Sequence, residues 1–424
     1  MSFLPPASRS ISRVLSAALG ATFSTPAPHT GATAPAPANS GATTSATTPA
    51  VSVTNSVPAA TTSAPAAANE VSWERCRADA AALDLGGAPR VCIVLVDGLG
   101  FENLQARLGY APNLRGWEHL SPLYSTIPST TAAALTTIGT GTLPGATSML
   151  SYALRSPRTG RSFSLLSWQD AGYEPEEWQP VPGVAELLEP AERERVAIIQ
   201  DRRFANSPLT RAAWKGMRHV GADGLDARVR AARQFFMHDG GKVGVFYWSE
   251  VDHAGHGEGF ASEAWTHALE EIDRGLGELR RALPSGTRIA VTADHGMVDV
   301  GERIDIAAVA PLREGIAVTS GEERGVHVYA EPGVDPAAIA TRWRDYLGED
   351  TAVFTKAEAI AQGLYGPQVT EFSRQVLGDV ISYQYGDLSL IDSRTRTPGQ
   401  SFMRGVHGSV TEQEMLVPWI MSEA

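Results

Sequence analysis

Val91-Cys-Ile-Val-Leu-Val96 is an unbroken apolar run, mostly β-branched, and it stops abruptly at Asp97-Gly98. A strand that is apolar at every position has no face to offer to water, so it must be covered on both sides, as inner strands of parallel sheets are. Similar runs occur at Val196–Ile199, Val243–Trp248 and Ile289–Thr292. Between the last two, Ser262 opens a helical pattern, with Trp265, Leu269, Ile272, Leu276 and Leu279 recurring every three or four residues before Pro284 and Gly286 end it. Strands alternating with helices imply an α/β fold, a parallel-rich sheet sandwiched by helices. Open sheets of this kind bind ligands at the carboxyl ends of their strands. Most of the residues capable of chemistry in this chain follow strand runs.

The pattern changes over residues 304–384, where Ala317–Thr319 and Val326–Tyr329 read as strands and Pro336–Leu347 as a helix, together a smaller inserted α+β subdomain. A final strand is expected at Met415–Met421. Near the start, Ile11, Val14, Leu15, Ala18 and Leu19 fall at helical spacing, interrupted by Ser12 and Ser16. Residues 1–21 therefore read as a short amphipathic helix rather than the continuous apolar core of an export signal, which gives a cytoplasmic expectation with secretion as the alternative. Residues 22–69 consist almost wholly of Ala, Thr, Pro, Ser and Gly. Such a composition buries too little apolar area to offset the entropy of ordering, so a disordered linker is expected there and the catalytic domain is assigned to residues 70–424.

Composition closes several routes. A net charge of −12 argues against a nucleic acid polymer as partner, because such binding rests on clustered cations. No apolar run approaches the roughly 18 residues of a membrane span. With only Cys76 and Cys92, neither a disulfide framework nor a thiolate cluster can be built, so any metal must be held by Asp and His.

Five short motifs carry the chemistry. Asp97-Gly98 ends the first strand; alone, its aspartate reads equally well as a helix cap. Ser129-Thr130-Thr131 leads into a helical run ending at Thr140-Gly141, where hydroxyls beside a helix start suit a bound phosphate but also ordinary capping. Asp252 and His256 are four residues apart and can reach one metal from a single turn, with Gly255 allowing close approach and His253 as a competing imidazole. Asp294-His295-Gly296 ends another buried strand, where uncompensated charge is expensive and a cation is expected. His407-Gly408 is a lone histidine in a glycine-flanked loop. Taken together, three acids, three histidines and a hydroxyl supply the oxygen and nitrogen donors that two neighbouring metal ions require.

In this order and spacing the motifs resemble those of the alkaline phosphatase superfamily, specifically its type I phosphodiesterase/nucleotide pyrophosphatase branch. The correspondence runs through Asp97-Gly98, Thr131 to Thr140-Gly141, Asp252 to His256, Asp294-His295-Gly296 and His407-Gly408. The resemblance implies a hydrolase of phosphodiester or pyrophosphate bonds in small nucleotide-type phosphate esters, with two divalent metal ions, zinc foremost. One ion would be held by Asp252, His256 and His407, the other by Asp97, Asp294, His295 and Thr131. Thr131 would attack phosphorus in line to give a phospho-threonine, which water would then release. Thr131 is chosen over Thr130 by its nine-residue spacing to Thr140, and Thr126-Ile-Pro-Ser offers a second alignment. Where that branch carries an Asn after its nucleophile, this chain has Ser151-Tyr152.

The alternatives are a phosphomonoesterase or phosphonate hydrolase of the same superfamily and, from another class, a non-catalytic binding module that keeps the fold. A sulfatase lacks its Cys/Ser-x-Pro-x-Arg setting here, and a serine hydrolase lacks Gly-x-Ser-x-Gly. The substrate pocket is assigned to Ser151–Pro182 and Phe204–Met217, whose aromatic residues suit either a core or a stacking platform.

Overall fold

The computed structural model describes residues 6–23, 71–395 and 403–424. Its main element is a seven-stranded sheet in the order Glu118–His119, Ile420–Glu423, Thr287–Thr292, Arg90–Val96, Val243–Trp248, Val196–Gln200, Arg218–Gly221. The last five of these run parallel, and Ile420–Glu423 and Glu118–His119 add an antiparallel margin. The most apolar run lies at the centre: Val91 to Val96 are all fully buried between helices on the two faces. Residues 218–221, half-buried throughout, form an outer strand without the apolar signature that marked the inner ones.

The Glu263–Ala282 helix forms as its pattern requires. Ser262 accepts from Trp265 N at 3.1 Å, and Trp265, Leu269, Ile272, Leu276 and Leu279 are buried in the main core. Each such side chain contributes about 1.5–3 kcal/mol by leaving water.

Between the sheet and its final strand lies a second, four-stranded antiparallel sheet, ordered Ile316–Glu322, Gly325–Ala330, Val380–Gln384, Thr351–Thr355. The Pro336–Leu347 helix covers it with Ile339, Ala340 and Trp343, giving this region an apolar cluster of its own.

Two readings change. The single strand expected at Met415–Met421 is broken by Pro418, which has no N–H for a ladder. Leu416–Val417 pairs with Leu123–Tyr124, and only Ile420–Glu423 joins the large sheet. The N-terminal helix, Val14–Thr22, is not amphipathic in place, since Val14 to Leu19 are all buried. Ser16, which interrupts the apolar pattern, donates to the buried Asp79 at 2.5 Å, and Arg13 pairs with the same carboxylate at 2.5 Å. The helix packs on Trp73–Ala82, and residues 6–23 belong to one compact unit with the described residues from Val71 onward. The linker expected at residues 22–69 lies outside the described residues except for Thr22 and Phe23, which end this helix. Among the described residues no helix is long and apolar enough to cross a membrane.

Candidate active site

Three adjacent parallel strands end together. The register sets Val96 beside Trp248 and Leu95 beside Thr292, so the residues after these strands share one edge of the sheet. Asp97 follows the first strand, and Asp294 and His295 follow the third. The Val243–Trp248 strand leads into the Glu250–Glu258 helix, which carries Asp252 and His256 one turn apart. His407 enters from far along the chain, after Gly405–Val406 pairs with Val298–Asp299 just beyond His295. Two glycines make this convergence possible. Gly98 adopts φ +71°, and a Cβ there would stand 2.8 Å from that of Asp252; a Cβ at Gly255 would collide with Met297 Sδ.

The six acid and imidazole side chains form two groups, Asp252, His256 and His407 in one and Asp97, Asp294 and His295 in the other. Within each group the ligand-type atoms lie within 4.8 Å of one another. His256 Nε2 is 3.3 Å from Asp252 Oδ2, and His407 Nε2 is 3.9 Å from Asp252 Oδ1. His295 Nε2 is 3.4 Å from Asp97 Oδ1 and 3.5 Å from Asp294 Oδ2. The groups adjoin, because the His295 and His407 rings stack with centroids 3.6 Å apart.

The orientation of the rings decides what the site can hold. Nδ1 of His256, His295 and His407 faces the carbonyls of Gly405, Gly296 and Ser129 at 2.8, 3.1 and 3.0 Å. A carbonyl only accepts, so Nδ1 carries the proton, and in the neutral ring Nε2 presents a lone pair to the carboxylates. Asp97 Oδ1, Asp252 Oδ1 and Asp294 Oδ2 are buried and have no hydrogen-bond partner among the described residues. Lone pairs facing lone pairs away from bulk water repel, most of all in the enclosed Asp97, Asp294 and His295 group; divalent cations among them would turn each into a ligand. The residues therefore fit a pair of metal ions.

The electrostatics agree. Burial pushes the Asp97 carboxyl well above its usual range, and the charges of Asp294 and Asp252 add to this. Burial also raises Asp294. His407 is held well below the ordinary histidine value by burial and by His295 and His256, which keeps it neutral.

The candidate threonines separate. Thr131 starts the Thr131–Thr140 helix, faces the cavity and places Oγ1 3.1 Å from His295 Nε2. Thr126 is buried and donates to Pro128 O at 2.6 Å, and Thr130 is the buried residue before the helix. Thr140 bonds back to Thr136 O at 2.7 Å and belongs to the helix end. His253 is exposed and joins neither group.

Beside Thr131 lies a cavity of about 370 Å³. Tyr152, Leu166, Phe204 and Trp214 line it, so both expected pocket segments contribute. Phe163, Trp168 and Trp178 instead pack edge-to-face in the core. Ser151 is fully buried, and the residue that reaches the cavity from this pair is Tyr152.

Three further residues at the site were not read from the sequence. Tyr247 donates its hydroxyl to Asp97 Oδ2, and burial followed by the Asp97 charge pushes the phenol well above its usual value. It hid within an apolar strand run. Gln200 lines the cavity from the end of the Val196–Gln200 strand, where its position was the available signal. Glu322, from the smaller sheet, comes within 3.7 Å of His407 Nδ1, and no local motif marks it.

Residues 91–410 match the family model described as type I phosphodiesterase/nucleotide pyrophosphatase. No curated protein sequence matches the chain. Among solved structures, human ectonucleotide pyrophosphatase/phosphodiesterase 5 is similar at a TM-score of 0.60 and 16% identity, over 78% of this chain and 87% of that one. An inactive variant of the murine protein in complex with AMP gives the same four figures. Phosphonoacetate hydrolase from Sinorhizobium meliloti 1021, in complex with phosphonoformate, is similar at 0.57 and 19%, over 78% of this chain and 89% of that one. These likenesses share the alkaline-phosphatase-type fold. The match over most of its length makes this chain a member of the type I phosphodiesterase/nucleotide pyrophosphatase family of phosphoric ester hydrolases.

Proposed function

We propose that this hydrolase cleaves phosphodiester or pyrophosphate bonds in nucleotide-type substrates through a phospho-threonine at Thr131. Two divalent cations, zinc by the chemistry of the donors, are assigned to the site. Asp252, His256 and His407 would hold one; Asp97, Asp294 and His295, with Thr131, would hold the other. The supporting observation is the set of three imidazoles anchored through Nδ1 with Nε2 turned toward the Asp carboxylates, of which Asp97 Oδ1, Asp252 Oδ1 and Asp294 Oδ2 have no hydrogen-bond partner among the described residues. Bound cations would supply positive charge to the phosphoryl oxygens and favour deprotonation of the hydroxyl and of water.

The chain's own residues supply position. Thr131 sits at a helix start, where free backbone N–H groups favour an anionic phosphoryl group. Its Oγ1 forms the bond to phosphorus as the bond to the leaving oxygen breaks, and the hydroxyl proton passes by way of solvent to the leaving oxygen. Water then adds to phosphorus, and Thr131 departs with its hydroxyl restored. Tyr247 keeps Asp97 oriented by donating to one carboxylate oxygen, leaving the other for the cation. The AMP bound to the murine relative agrees with a nucleotide-type substrate.

The test is turnover of bis-p-nitrophenyl phosphate with added zinc, with chelator, and by Thr131→Ala, alongside metal analysis. Two equivalents of metal, activity abolished by chelation and an inactive Thr131→Ala variant that still binds metal are expected. Activity retained by Thr131→Ala would exclude this nucleophile. The fold shared with phosphonoacetate hydrolase supports a second reading, a phosphomonoesterase or phosphonate hydrolase of the same superfamily. A p-nitrophenyl phosphate rate exceeding the diester rate would replace the diester reading with a monoesterase.

A further inference from the structure

The helix that begins at Thr131 is held by a segment far from it in sequence. Ala132 to Thr140 are all buried, and Ile11–Arg13 packs against this helix. So does the Pro208–Ala213 helix, at a place where a Cβ on Gly139 would collide with Ala213 O. Apolar contact is non-directional, so by itself it leaves a helix free to slide along its axis. A directional tie is made at the far end. Gly141 ends the helix at φ +66°, and Arg75, half-buried, donates from Nη2 to its carbonyl at 2.7 Å. A cation there also meets the negative end of the helix dipole.

Arg75 is in turn fixed by Asp79, one turn along the Trp73–Ala82 helix, whose carboxylate is fully buried. Arg75 Nε lies 3.5 Å from Asp79 Oδ2; Ser16 donates to the same oxygen at 2.5 Å, and Arg13 donates to Oδ1 at 2.5 Å. Arg13 and Ser16 both belong to the N-terminal segment. A buried carboxylate must keep such partners, because an uncompensated charge away from water is strongly destabilising. The segment is anchored beyond this carboxylate too. Gly20 lies so close to the Cys76 carbonyl that no Cβ would fit, and Lys242 donates to Thr22 O at 3.2 Å.

Resting on Thr131 as the nucleophile, we propose that Arg75 is a positioning residue of this hydrolase. With Asp79 it couples the N-terminal segment to the end of the Thr131–Thr140 helix. That helix, rigid along its ten residues, carries the constraint to Thr131 Oγ1, 3.1 Å from His295 Nε2. A nucleophile displaced by a fraction of an ångström loses its in-line geometry, while the six acid and imidazole ligands, which lie on other elements, stay in place. The loss should therefore fall on kcat rather than on KM or metal content.

The test compares zinc-loaded variants of the full chain on bis-p-nitrophenyl phosphate, below their unfolding temperatures. Arg75→Ala should lower kcat by about tenfold, with KM within about twofold of wild type and two equivalents of metal retained. Arg75→Lys, which keeps the charge and a donor, should recover most of that loss. Ser16→Ala, a lighter cut that leaves both arginines paired to Asp79, should lower kcat by about threefold. Ile339→Ala is the control: it removes a buried side chain from the apolar cluster of the inserted subdomain and should lower the unfolding temperature with kcat unchanged. Losses of kcat in Arg75→Ala and Ser16→Ala no larger than in Ile339→Ala, or losses that track metal content, would overturn the positioning role while leaving the nucleophile standing. Should Arg75→Ala not fold, a wild-type kcat in Ser16→Ala would overturn it equally. Activity retained by Thr131→Ala would instead remove the nucleophile reading, and this inference with it.

Discussion

The two donor groups are built in different ways. Asp97, Asp294 and His295 sit directly on the ends of two neighbouring strands and are at most 3% exposed, with Tyr247 bonded to Asp97 and the backbone N–H of Gly98 bonded to Asp294 at 3.1 Å. Asp252 and His256 are only half-buried and ride on a helix, and His407 is delivered by a loop. A rigid, dry group cannot replace a lost ligand with water, whereas a half-open one can. On the proposed mechanism this contrast would divide the labour: the enclosed group would fix the nucleophile, and the open group would leave room for water to arrive.

The largest effect belongs to the enclosed side. Thr131→Ala should lower kcat by on the order of 10³-fold or more while metal content stays at two equivalents, which activity assays and metal analysis together would show. Next come paired ligand variants. Asp294→Asn should weaken metal binding by about 100-fold and Asp252→Asn by only about tenfold, measured by competition with a chromogenic chelator. Equal losses would break the contrast between the groups.

Tyr247→Phe sharpens the comparison because its hydroxyl serves the enclosed group alone. It should reduce metal affinity there by about tenfold and leave the other equivalent unaffected, as stepwise zinc titration would reveal. The smallest effect has the opposite sign for stability. Asp97→Asn removes a desolvated charge that burial and the Asp294 and Asp252 carboxylates disfavour. Denaturant unfolding in chelator should show the variant more stable than wild type by about 1–2 kcal/mol. With zinc added the order should reverse, since the wild type gains more from binding. A variant less stable than wild type in chelator would contradict the electrostatic account of this group.

Hydrophobic pattern is a local property, and it was readable where it was strong. The Val91–Val96 run, the Ser262-capped helix and the Pro336–Leu347 helix were evident because burial on both faces, capping and helical spacing are each written within one element. The motifs Asp97-Gly98, Asp252 to His256 and Asp294-His295 were visible for the same reason, each lying within a turn or at a strand end. Arg218–Gly221 was missed because an outer strand is only half covered, and Val14–Leu19 looked amphipathic because Ser16 finds its partner sixty-three residues away, in Asp79.

Residue order alone established an α/β chain with Asp97, Asp294 and His295 at its strand ends. Tertiary structure decided how those donors share space, since that depends on Thr287–Thr292, Arg90–Val96 and Val243–Trp248 being neighbours in register. It also decided which threonine faces His295, how Tyr247 reaches Asp97 and how Glu322 arrives from another sheet. Strand order and loop return are set by long-range packing, which no short window of sequence encodes.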